Sequence, residues 1–200
     1  VLLIKNQFHN RHARAQELLA VQTMHVRHTH MIGGVAIFTA IAFSISLSPE
    51  VITDRYAKFV LAASILFVIA LMEDVGIHVS PLNRLLAAII ASLAVVIALD
   101  VWIPRTHIPG VDLFIEYWWV GVPITILATA GISNAFNMID GVNGLAALTA
   151  IVAALAMSQI ASMAGYSAMV HLATMVAAAV FGFFVLNYPF GWIFLGDAGA

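Results

Sequence analysis

Cysteine is absent from the 200 residues. That excludes disulfides, a thiolate nucleophile and thiolate-bound metal, so any metal ion must be held by oxygen or imidazole. Charge is scarce as well: eight Lys and Arg with ten Asp and Glu make up 9% of the chain, where a soluble domain carries about 25%. No basic run and no interleaving of basic with aromatic residues is present. With a formal net charge of −2, nucleic acid is set aside as a partner. Also missing are an initiator Met or a signal-peptide cleavage site around "VLLIKNQFHN", and no closing element follows "FLGDAGA". The expectation is a single integral-membrane domain over residues 1–200, taken from the interior of a longer protein.

What the chain does have is apolar length. Hydrophobic residues make up 62% of it, in blocks of about 16 to 22, close to the roughly 20 that cross a bilayer as a helix. After a polar amphipathic segment from Lys5 to His30, spans read as Ile32 to Ser48, Ala57 to Met72, Leu85 to Ile103, Val120 to Ile139, Leu145 to Met163 and Met169 to Leu186. The expected fold is all-α, a polytopic transmembrane helix bundle of about six spans. Lys5, Arg11, Arg14 and Arg27 place the leading segment in the cytoplasm by the positive-inside tendency. Alternation then gathers "HVRHTHMIGG", "MEDVGIHVSPLNR", "NAFNMIDGVNG" and "NYPFGWIFLGDAGA" on that same face. The outward loops carry Pro, scattered charge and an interfacial belt of Tyr117, Trp118 and Trp119.

The shared face holds four carboxylates at helix ends: the adjacent Glu73 and Asp74, Asp140 before Gly141, and Asp197 after Gly196. Neighbouring carboxylates repel unless solvated, protonated or bridged by a cation. A hard divalent ion such as Mg²⁺ suits them, since it takes oxygen ligands and commonly shares substrate phosphates. Asn134 and Asn137 offer neutral donors and acceptors for orienting a polar ligand. Glycines, among them Gly33, Gly34, Gly141 and Gly144, permit close backbone approach and free N–H groups at helix starts. One carboxylate at a span end can be nothing more than a solvated interfacial group. Four on one face, flanked by Gly or amides, argue for a site. For His25, His28 and His30 a solvated loop is the better reading than a metal cluster. His171 reads as a core histidine and the Met residues as core filling.

These four segments, in this order, resemble the polyprenyl-phosphate N-acetylhexosamine-1-phosphate transferases, glycosyltransferase family 4. "HVRHTHMIGG" is similar to the family's His-x-x-Pro-Thr-Pro-Arg-x-Gly-Gly loop, and "EDVGIHVSPLNRLL" to its acidic pair followed by Ser-Pro and Arg-Leu-Leu. "NAFNMIDGVNGLA" is similar to its Asn-x-x-Asn-x-x-Asp-Gly signature, and "PFGWIFLGDAGA" to its Phe-Leu-Gly-Asp-x-Gly segment. Glu73 in the acidic pair and Asn143 in place of a second Asp tie the chain more to the UDP-GlcNAc:undecaprenyl-phosphate GlcNAc-1-phosphate transferase branch than to the phospho-MurNAc-pentapeptide translocase branch. Met31, His28, His30, Ile77, His78, Leu82 and Trp192 depart from the family pattern, several of them replacing basic or Pro residues.

The resemblance implies a Mg²⁺-dependent phosphotransferase, with Mn²⁺ as a substitute. It would join an amino-sugar 1-phosphate from a UDP-N-acetylhexosamine to a polyprenyl phosphate and release UMP. Such an enzyme belongs to cell-wall or lipopolysaccharide synthesis in the bacterial inner membrane, its site facing the cytoplasm. Glu73, Asp74 and Asp140 are then the catalytic candidates and Asp197 with Asp74 the metal ligands. Thr29, Gly33, Gly34, Arg84, Asn134, Asn137 and Asn143 are the substrate-binding set. The amino sugar, the lipid length and the oligomeric state, a homodimer included, stay open. Two rival readings are an ion-coupled transporter, which asks for acids near mid-bilayer, and an inactive membrane scaffold, which the missing basic residues suggest.

Overall fold

The computed structural model describes residues 30–200. The leading polar segment, with Thr29, His25, His28 and the four basic residues used for orientation, lies outside the described residues. The described chain forms α1 (Gly33–Ser46), α2 (Glu50–Asp74), α3 (Pro81–Leu99), the short α4 (Asp112–Ile115), α5 (Trp118–Ile139), α6 (Leu145–Met163) and α7 (Ser167–Asn187). Two-residue strands, β1 (His30–Met31) and β2 (Ile193–Phe194), pair in parallel, with His30 opposite Ile193. The architecture is the expected all-α membrane bundle.

Among the described residues five helices are long and apolar enough to cross a membrane: the Tyr56–Asp74 part of α2, then α3, α5, α6 and α7. The first expected span is corrected. α1 has 14 residues, about 21 Å of helix, against a hydrocarbon core of about 30 Å. Pro49 is the cause, because its ring disfavours helical backbone in the preceding residue and fixes an extended start for α2. Hydroxyls close the break. Ser46 and Ser48 donate to the carbonyls of Phe43 and Ser44, and Thr53 donates to Ile45 O at 3.0 Å and Ser48 O at 2.9 Å.

The interior is made of small side chains. Ala87, Ala88, Ala91 and Ser92 of α3 are buried, as are Ala62 and Ala70 of α2. Ala146, Ala147, Ala154 and Ala161 of α6 are buried too, opposite Ala173 and Ala177 of α7. Bulky residues point the other way: Leu61, Ile97 and Leu127 are each about two-thirds exposed or more, at 69%, 72% and 67%. In water this inversion would be ruinous. In lipid it is the expected division, because acyl chains solvate Leu and Ile while small residues let helix backbones approach. α6 packs along α7, α2 along α3, α3 against α5, and α1 against α7. The chain is a multi-pass membrane protein.

One larger apolar cluster gathers Val180 and Phe183 of α7, Ala146 and Ala147 of α6, and Leu195 beyond β2. It packs the segment after β2 against the bundle at the end where the acidic residues collect. At the opposite end Tyr117, Trp118 and Trp119 are exposed at the start of α5, where an interfacial belt is expected.

Candidate active site

Alternating helix direction brings the starts of α1, α3 and α6 and the ends of α2, α5 and α7 to one end of the bundle. Glu73 and Asp74 close α2, and Asp140 follows α5 as its C-cap. Arg84 lies in the first turn of α3, whose start is set by Pro81 at N1 and the Ser80 hydroxyl accepting the Asn83 N–H. Asp197 follows β2 across Leu195 and Gly196. None of the four carboxylates lies mid-span.

Arg84 sits between two of them. Its Nη1 donates to Glu73 Oε2 at 3.1 Å and to Asp197 Oδ1 at 3.0 Å, with all three side chains about a quarter exposed. Using one nitrogen for both contacts leaves Nη2 and Nε with donor capacity toward a further anion. Asp74 takes a different role. Its Oδ1 accepts the Asp197 N–H at 2.8 Å and its Oδ2 the Ala198 N–H at 3.0 Å. The carboxylate therefore cradles the backbone of the loop that carries Asp197. Gly196 makes room for this: a Cβ there would stand 2.6 Å from Asp74 Oδ2.

Asp140 completes the cluster electrostatically. Burial, then the charge of Asp197, and to a smaller extent that of Asp74, push its carboxyl up to about 7, against the opposing pull of the Gly196 N–H. The site thus carries more negative charge than Arg84 balances. Among the described residues no three His, Asp or Glu side chains form a ready-made metal cage. Mg²⁺ does not need one, since it usually binds one or two carboxylates and completes its shell with water and phosphate. A carboxyl whose proton affinity is raised by burial and by adjacent carboxylates is the donor chemistry a hard divalent cation relieves. The residues present fit such an ion.

A cavity of about 280 Å³ opens beside the cluster, between α1, α2, α3 and α5. Arg84, Asn134, Asn137 and Asp197 supply its polar wall, while Phe38, Phe67 and Val95 line the apolar remainder. The Phe38 and Phe67 rings stack at 4.1 Å. Five of the candidate residues, Glu73, Asp74, Arg84, Asp140 and Asp197, are thus brought together, with Asn134 and Asn137 on the adjoining wall.

Others fall elsewhere. Gly33 and Gly34 are buried and face protein: a Cβ on Gly33 would strike Phe183 and the Phe194 carbonyl, and one on Gly34 the backbone of Ala198 and Gly199. Their expected part in ligand approach is revised to close packing of the segment that carries Asp197. Asn143 donates to Pro189 O at 3.3 Å, and its buried Oδ1 has no protein partner. One residue was missed. Asn187, 4% exposed at the end of α7, bonds to both Gly144 and Ile193. Its signal was available as a lone amide closing an apolar run, where an unpaired polar group is costly.

The family model described as glycosyl transferase family 4 matches residues 56–200. The chain belongs to glycosyl transferase family 4. Relatives of both expected branches match this family 4 chain. A probable undecaprenyl-phosphate N-acetylglucosaminyl 1-phosphate transferase of Bacillus subtilis is 28% identical over 171 residues, covering 84% of this chain and 46% of its own. An undecaprenyl-phosphate alpha-N-acetylglucosaminyl 1-phosphate transferase of Salmonella typhi is 27% identical, over 85% of this chain and 47% of its own. A phospho-N-acetylmuramoyl-pentapeptide-transferase of Halalkalibacterium halodurans is 37% identical over a shorter 93 residues, 46% of this chain and 29% of its own. The long N-acetylglucosaminyl matches agree with the branch expected from Glu73 and Asn143. The chain spans about half the length, or less, of these relatives. No solved structure matches it.

Proposed function

We propose that the protein to which this chain belongs transfers an N-acetylhexosamine 1-phosphate from a UDP-sugar to a polyprenyl phosphate, at the cytoplasmic face of a bacterial inner membrane. The observation that carries the reading is the placing of Arg84 and four carboxylates at one membrane edge, beside a cavity that is polar at that edge and apolar elsewhere. A soluble nucleotide sugar and a lipid phosphate can meet only at such an edge.

In the reaction an oxygen of the lipid phosphate attacks the sugar-linked phosphorus of the UDP-sugar. The new P–O bond gives a polyprenyl diphosphate sugar, and the bond to the bridging oxygen breaks so that UMP leaves. A phosphate monoester has its second pKa near 6 and is largely ionised at neutral pH. The demand on the protein is therefore to bring two anions together and align the attacking and leaving oxygens. Arg84 offers its remaining N–H donors to a phosphate, and the N-termini of α1, α3 and α6 add the positive ends of their dipoles. Asn134 and Asn137 orient the polar ligand from the cavity wall. Asp197 would hold Mg²⁺, or Mn²⁺ in its place; Asp140 is proposed as the second ligand instead of the expected Asp74, whose two oxygens accept backbone N–H groups and keep the Asp197 loop in position. When bound, the ion supplies screening of the phosphate charges. Glu73 shares Arg84 Nη1 with Asp197 and so helps to hold the guanidinium in place.

The test uses the full-length protein in detergent with UDP-N-acetylglucosamine and a polyprenyl phosphate. UMP release should require Mg²⁺, and Asp197→Asn should abolish it while the protein stays folded. Turnover of that variant at the wild-type rate would remove Asp197 from the chemistry and the reading with it.

A further inference from the structure

We propose that Asn187 is a positioning residue that sets the separation of the two carboxylate-bearing segments, the turn after Asp140 and the strand leading to Asp197. Its consequence for turnover rests on the transferase reading, whereas its geometry does not. Asn187 is the last residue of α7 and is buried. Its Oδ1 accepts the N–H of Gly144 at 2.6 Å, and its Nδ2 donates to the carbonyl of Ile193 at 2.9 Å. Its own backbone carbonyl accepts the Gly191 N–H at 2.7 Å, fixing the turn that leads into β2.

A buried amide is stabilising only when both its ends are paired. Here each end is committed to the backbone of a different site segment. Gly144 opens α6 four residues after Asp140, and its N–H is one of the donors a helix start leaves without an intrahelical acceptor. Ile193 stands four residues before Asp197, in the strand that is followed by Leu195, whose carbonyl accepts the Gly34 N–H at 2.8 Å. One side chain thus ties α6, β2 and α7 together, at points four residues along the chain from each carboxylate. The residues nearest to it in shape do not serve. Asp lacks the donor, Leu has the shape but neither polar end, and Gln places the amide one methylene too far.

The experiment compares Asn187→Leu, Asn187→Asp and Val180→Ala in the full-length protein. Val180 is a buried residue on the same helix, packed in one cluster with Ala146, Ala147 and Leu195 and making none of the clamp's hydrogen bonds, so its truncation controls for general loosening of the packing. Amide hydrogen exchange should quicken by about tenfold in both segments, 140–146 and 192–198, for Asn187→Leu. In Asn187→Asp the rise should be confined to 192–198, where the donor is lost. Val180→Ala should leave the two segments no different from each other or from the rest of α6. In the UMP assay, Asn187→Leu should raise the half-saturating Mg²⁺ concentration and lower kcat by about tenfold or more, with the UDP-sugar KM changed less than about threefold. Unchanged exchange in either segment of Asn187→Leu overturns the clamp. Quickened exchange with an unaltered Mg²⁺ dependence, or the same kinetic change in Val180→Ala, overturns the positioning role. A wild-type protein that releases no UMP sinks the transferase reading and leaves the clamp to stand or fall on exchange alone.

Discussion

Gly196→Ala changes no chemical group in the site and should nevertheless disable it. Gly196 has φ +75 and Gly76 has φ +90, so an Ala at either position meets the left-handed penalty of about 1 to 2 kcal/mol. At Gly76 an added Cβ has nothing within 4 Å, whereas at Gly196 it stands 2.6 Å from Asp74 Oδ2 and 2.9 Å from Asp74 Oδ1 and Cγ. Ordinary contact needs about 3.5 Å, so the carboxylate must retreat by roughly 1 Å. That takes its bonds to the Asp197 and Ala198 N–H groups, now 2.8 and 3.0 Å, past the range of a hydrogen bond. Discounted for partial exposure, two such bonds are worth about 2 kcal/mol together. Gly196→Ala should therefore cost about 3 to 4 kcal/mol and Gly76→Ala about 1 to 2. A shift of the Asp197 loop by about 1 Å should also lower turnover roughly a hundredfold in the first variant. Thermal unfolding and UMP release of both full-length variants, side by side, read the two effects. If Gly196→Ala is no worse than Gly76→Ala in either assay, Asp74 does not hold the loop.

Arg84→Gln should weaken UDP-sugar binding about tenfold or more, the worth of one charge-assisted contact, and tighten the apparent Mg²⁺ affinity because Asp197 loses its competing cation; titration calorimetry that finds looser Mg²⁺ binding would contradict this arrangement. Asp140 gives a pH signature. Its folded-state value of about 7 lies above the ordinary 3.8, so the folded chain holds a proton that the unfolded chain releases. Its contribution to stability is complete below about 4 and is lost as pH rises through about 7. In Mg²⁺-free buffer the wild type should lose stability between about pH 4 and 7, and Asp140→Asn should flatten that slope; parallel curves would place Asp140 in a more solvated setting. With no cysteine among these 200 residues, single cysteines at Pro81, Asn143 and Ala198 should label from the cytoplasmic side and one at Pro109 from the other. Labelling of Asn143 and Pro109 from the same side would break the one-face site.

The convergence of Glu73, Asp74, Arg84, Asp140 and Asp197 was legible because span alternation is a parity rule, indifferent to the exact ends of helices. Their division of labour was not. Nothing in "EDVGIHV" distinguishes Glu73, paired with Arg84, from Asp74, bonded to backbone more than a hundred residues away. Gly33 and Gly34 mislead for a similar reason: a glycine advertises close approach without naming what approaches, and here it is Phe183 and Gly199. α1 was read too long because hydropathy runs through Leu47, whereas Pro49 and the hydroxyls of Ser46, Ser48 and Thr53 end the helix earlier. The β1–β2 pairing has two residues per strand, too few to leave any periodicity.

The bonds that assemble this site span great lengths of chain: Asp74 to Ala198 is a separation of 124 residues, and Arg84 to Asp197 one of 113. The helix pairs α2–α3 and α6–α7, by contrast, are neighbours in sequence. During synthesis the hairpins can enter the bilayer and pack one by one, but Asp74 and Arg84 have no partners on the Asp197 loop until that loop has been made. Until then, acidic groups that end up crowded together are held apart on separate hairpins, exposed to water at the membrane edge. These contacts form in one late docking step, when the Gly196–Gly199 loop reaches back to α1 and α2. A nascent chain stopped before Gly196 should be an inserted, largely helical membrane protein with no working site.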